Sequence, residues 1–191
     1  MIPRKTYFLL TRLDADGLTA LRRRNQIPCP STDRNEYSLF DAFTFNLAEN
    51  FAQAPDGLDM SRNTAVSVVR DVARLVIERR EDIEAGSQSG SATAVLVGRL
   101  YRQETGTEPF CGTAGELADT ILHGPLVIRV ALVNASLAFA AFQARCAYND
   151  VDMSEFWPAP ETVPSFDELR MARRQILREA VASTNAKRKG S

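Results

Sequence analysis

Histidine occurs once in the 191 residues, at His123, and cysteine three times, at Cys29, Cys111 and Cys146. Cysteines that are odd in number, far apart and without Cys-x-x-Cys spacing do not make a disulfide framework. A structural zinc site needs four nitrogen or sulfur ligands, so no metal is expected from this scattered set, and no cofactor either. A single imidazole leaves little for reactions that use a histidine base. No window holds about 18 consecutive apolar residues, which excludes a membrane-spanning helix. The opening "MIPRKTYFLLTRLDADG" has a short apolar patch, but an acidic pair comes after it and no cleavage pattern appears. A cytoplasmic protein is expected.

Phosphate-binding signatures are missing too. "GTAGEL" contains glycines but lacks the Lys-Ser/Thr of a phosphate loop and the full dinucleotide fingerprint. The nearest approach to a catalytic constellation is Glu116 and Asp119 with Thr113 and His123, which a helix cap and a solvated face explain. No catalytic residue, and no enzyme, is expected.

What is present is an ordinary globular composition, 45% apolar and 25% charged, in a chain long enough for one domain or two small ones. The net charge of −1 hides an uneven distribution. Residues 1–40 hold seven basic side chains (Arg4, Lys5, Arg12, Arg22, Arg23, Arg24, Arg34) against four acidic ones. From Leu169 onward there are seven again, against Glu179 alone. Salt screens charges beyond roughly 8–10 Å, so local fields rather than totals decide phosphate binding.

Periodicity predicts a helix in "YSLFDAFTFNLAENFAQ", capped by Ser38 and Asp41, with Leu39, Phe43, Leu47 and Phe51 on one face. A second, long helix over residues 61–84 has Ala65, Val69, Val72, Val76 and Ile83 on one side and suits packing or dimerisation. "GSQSGSAT", residues 86–93, reads as a linker. Beyond it "TAVLVGRLYR" and "PLVIRVALVN" are β-branched runs that predict strands. "TAGELADTILHG" between them and "ASLAFAAFQARCAYNDV" after them predict helices. Prolines extend "FWPAPETVP". Ser165 and Glu168 then open a final helix with Arg170, Arg174 and Arg178 in a stripe, ending in the basic tail "STNAKRKGS", expected to be disordered.

The stretch "LTALRRRNQIPCP", residues 18–30, sets three arginines beside an apolar stripe and before a Pro-x-Pro turn. Charge runs are most often solvated helix faces. Here the order of the segments matters: a basic helix, a turn, a short two-stranded wing ending at Glu36–Tyr37, then the Ser38 helix. A DNA-reading helix needs a basic outer side and an apolar back, which Leu18 and Leu21 supply.

In that order "LRRRNQIP", "RNEYSLFD" and "GLDMSRNTA" resemble the winged helix-turn-helix domain of the MerR-like transcriptional regulators. Arg34, Tyr37 and Asp41 match the end of that family's wing, and Gly57, Leu58, Met60 and Ala65 its next turn. Asn25 stands where glycine is usual and Leu21 where an aromatic is usual. Asp14, Asp16 and Gly17 fall where the first helix would continue, so that helix is expected to be shortened. The resemblance covers roughly residues 7–80. It implies binding of double-stranded DNA as a homodimer, with Arg12, Arg22, Arg23, Arg24, Arg34 and Tyr37 contacting it. A core or helix-entry packing role is equally expected for Tyr37.

The expected fold is therefore α+β and mainly helical. A winged helix-turn-helix-like domain occupies 1–85 and a linker 86–93. A small α+β domain at 94–157 would serve sensing or dimerisation, or bind a protein partner. A basic amphipathic helix and tail fill 158–191. The rival expectation is a non-enzymatic protein-interaction or adaptor module that keeps a helix-turn-helix-like core.

Overall fold

The computed structural model describes residues 1–29, 36–53, 58–89 and 93–189. Within them the chain runs β1 (Ile2–Pro3), α1 (Arg4–Thr11), α2 (Ala15–Arg23), β2 (Glu36–Tyr37), α3 (Leu39–Ala52), α4 (Arg62–Glu78) and α5 (Arg80–Ser89). It continues through β3 (Leu96–Arg102), β4 (Gly106–Gly112), α6 (Ala114–His123), β5 (Val127–Asn134), α7 (Ala135–Tyr148) and α8 (Phe166–Lys189), with a 3-10 turn at Pro160–Thr162 before the last. The fold is α+β and mainly helical, with one three-stranded antiparallel sheet in the order β4-β3-β5.

The helix starts reflect local chemistry. Ser38 Oγ accepts the Asp41 N–H at 2.9 Å while the Asp41 carboxylate accepts the Ser38 N–H at 2.8 Å. Thr113 with Glu116 and Ser165 with Glu168 exchange the same pair of bonds, so all three predicted caps form. Asp14 is a further cap: its carboxylate accepts the Gly17 N–H at 2.7 Å. The residues expected to disturb the first helix instead begin α2.

Three segments differ from the sequence expectation. The helix over 61–84 breaks at Arg79, and its second part, α5, continues through Gly86–Ser89, the first half of the expected linker. Packing explains this, because α5 lies on α7 and a Cβ at Gly86 would sit 2.5 Å from Ser136 Oγ. Glycine here permits a close helix contact rather than flexibility. The basic tail expected from residue 183 continues α8 as far as Lys189. Finally, Glu36–Tyr37 pairs antiparallel with the N-terminal Ile2–Pro3, a strand too short to leave a periodic signal.

One buried cluster runs from Ile2 to Phe156 and draws on both expected domains, 1–85 and 94–157. Phe43 is at its centre, with the rings of Phe139, Phe142 and Phe156 at 5.6–5.9 Å in edge-on contact. The segment after α7 is pinned there by Phe156 and Trp157, whose ring centroids lie 4.6 Å apart. α4 is buried along Ala65, Val69, Val72 and Val76, between α3 on one side and β3 and β4 on the other. The packing role expected of this helix is thus met by α4. No helix among the described residues is long and apolar enough to cross a membrane.

Candidate nucleic-acid interface

α1 and α2 are joined by a turn at residues 12–14. Arg12 closes α1 in the left-handed conformation at φ 58°, and Asn25 takes the same conformation at φ 54° just past α2. Asn is among the few residues that adopt it at low cost. α2 lies on the core through Leu18 and Leu21, which are 1% and 9% exposed. Asp16, Thr19, Ala20 and Arg23 form the opposite, solvent-facing side.

The expected contact residues separate into distinct environments. Arg23 and Arg24 are exposed at the C-terminal end of α2, with no hydrogen-bond or ion-pair partner among the described residues. Arg12 is also exposed. Arg22 instead turns inward: its Nη2 donates to the Tyr37 hydroxyl at 2.9 Å and its guanidinium lies 5.3 Å from that ring. Tyr37 is 2% exposed and stacks on Tyr7 with ring centroids 4.2 Å apart. Of the two roles expected of Tyr37, DNA contact and packing, its buried ring has the packing one, set against Tyr7 of α1 and Arg22 of α2. Arg34 falls outside the described residues.

Two arginines that the sequence did not single out fix this region. Arg70 of α4 reaches the chain after α2, donating from Nε to Pro28 O at 3.0 Å and from Nη2 to Ile27 O at 2.6 Å and Asn25 Oδ1 at 2.8 Å. It thus supplies donors to carbonyls of the loop after α2, which belong to no helix or strand ladder. Arg145 of α7 donates to Leu10 O at 2.6 Å and Asn46 Oδ1 at 2.7 Å, which anchors the end of α1. Burial, and then repulsion from nearby Arg12, lowers its pKa. Their targets lie 42 or more residues away in sequence, so no local pattern announces them.

Burial dominates the titration of several groups around this region. Burial pushes the Tyr7 hydroxyl well up and raises the Asp41 carboxyl. Burial likewise raises the Cys29 and Cys111 thiols to about 12 and Cys146 to about 11, so none is an activated thiolate. Among the described residues no group of three or more His, Cys, Asp or Glu side chains could hold a metal ion. A cleft of about 530 Å³ lies beside the Arg70 contacts, walled by Pro28, Phe40, Val163, Pro164 and Leu169.

This arrangement offers a helix held on its apolar side, with guanidinium groups at its end that have no partner among the described residues and a hydrogen-bonded junction behind it. Compared with known protein families, curated proteins and solved structures, the chain matches none.

Proposed function

We propose that this protein is a DNA-binding transcriptional regulator of the MerR-like winged helix-turn-helix type, which binds duplex DNA as a homodimer. The observation that carries the reading is the state of α2. Its back is locked by Leu18 and Leu21, while Arg23 and Arg24 stand in solvent without a partner among the described residues. A helix so held presents its outer side to a groove, and its terminal arginines meet phosphates at the rim. Arg12, at the turn, adds a third cation. Arg22 and Tyr37 support the helix from behind. The order β1, α1, α2, β2, α3, α4 supports a reading head whose short strand pair ties the N-terminus to the chain entering α3, while residues 30–35, where the wing is expected, lie outside the described residues.

The adaptor reading draws on a different observation, the exposed apolar side chains of α6, β5 and α8. Selection of bound duplexes from a random pool separates the two. A regulator enriches one sequence, bound about 10³-fold or more tightly than random DNA at physiological salt. Recovery of no preferred sequence would favour the adaptor.

A further inference from the structure

The sheet order leaves one side of β5 without a partner strand among the described residues. The bond from Ala135 N–H to Val95 O, at 2.8 Å, continues the β3–β5 register and fixes how each residue points its backbone. Ala131 and Val133 therefore turn their N–H and C=O groups towards β3, while Val130 and Leu132 turn theirs to the open edge.

The two edges of the sheet are built differently. β4, "GTEPFCG", carries Pro109, Glu108 and a glycine at each end, features that discourage a further strand. β5, "VIRVALVN", has neither proline nor glycine. Its one charge, Arg129, is drawn back over the Tyr101 ring at 5.5 Å. Leu122, Leu126 and Ile128 are 63–73% exposed and Val130 43% exposed on and beside this strand. Apolar side chains on an open strand edge are a template for pairing with another strand.

We propose that two copies of the chain join through β5, antiparallel about a two-fold axis at Ala131, into one continuous sheet. The strand matches itself in this register. Val130 of each copy faces Leu132 of the other, so both outward-pointing residues exchange N–H···O bonds in both directions. Ala131, the smallest side chain of the strand, falls where the two strands come closest. Arg129 comes opposite Val133 of the second copy, whereas an axis at Arg129 would set two guanidinium groups face to face. The same register carries Leu126 of one copy to the start of α7 in the other, where Leu137 is 66% exposed. This edge supplies the surface of the homodimer in the proposed function, and its pairing does not depend on what α2 binds.

Sedimentation equilibrium of the full chain without DNA tests it. The wild type is expected at twice the chain mass of 21.1 kDa. Val130→Pro removes an N–H that the monomer does not use, and Val130→Lys places a charge on the edge; both are expected at the single mass with unchanged circular dichroism. Ile176→Lys with Leu177→Lys, on α8, should leave the dimer intact. In hydrogen exchange the Val130 and Leu132 amides should be protected at high concentration and exposed on dilution. A wild type of single mass, a Val130→Lys variant that stays dimeric, or dissociation by the α8 pair instead would overturn the proposal. All these readouts omit DNA, so their failure is distinct from failure of the DNA-reading assignment.

Discussion

Around α2 the leucines are buried and two arginines face solvent; around the sheet this is inverted. Arg99 and Arg102 are 9% and 6% exposed, while Leu122, Leu126 and Ile128 stand mostly in water. The buried arginines have partners: Arg99 meets Asp71, and Arg102 meets Glu108 and the Pro125 carbonyl. Asp71, 1% exposed at its side chain, also takes a bond from Arg173 of α8 at 2.9 Å, which ties the last helix to the core. One region thus presents charge held by an apolar base, and the other presents apolar surface held by internal charge. The first suits a phosphate backbone and the second another protein surface.

The inversion can be broken from either side. The largest effect is expected from Asp71→Ala, which leaves the Arg99 guanidinium buried without its carboxylate and should cost about 3–5 kcal/mol in urea unfolding. A loss below about 1 kcal/mol would mean that this ion pair does not organise the sheet side. Arg70→Ala comes next. It strips donors from the carbonyls of Ile27 and Pro28 and should cost about 1–3 kcal/mol. Because those carbonyls lie directly after α2, DNA binding should weaken with it, which a gel shift would detect. Tyr37→Phe removes only the hydroxyl that accepts from Arg22 and should cost about 1 kcal/mol, with the stack on Tyr7 retained. Smallest is Arg23→Ala with Arg24→Ala. Neither side chain touches a partner among the described residues, so thermal unfolding should register a change within about 0.5 kcal/mol.

Local signals in the sequence were readable and distant ones were not. The caps at Ser38, Thr113 and Ser165 depend on residues three apart, and each forms as its spacing predicts. The two β-branched runs become β3 and β5. A third strand, β4, has no β-branched run to mark it, because glycine and proline punctuate "GTEPFCG", and only its pairing with β3 holds it extended. Gly86–Ser89 has the composition of a linker, and only the approach of α7 shows why glycine belongs in a helix there. On α2 the sequence singled out all three arginines alike. What distinguishes Arg22 from Arg23 and Arg24 is Tyr37, fifteen residues further on and brought near by the β1–β2 pairing.

The central claim is that Arg23 and Arg24 are held out for phosphate. Its most direct test is the affinity for a selected duplex measured against salt concentration, for the wild type and for the Arg23→Ala, Arg24→Ala variant. Each phosphate contact contributes about 0.9 to the slope of log affinity against log salt, so the account predicts weaker binding and a slope shallower by about 2 for the variant. Equal affinity and equal slope for the two proteins would contradict it.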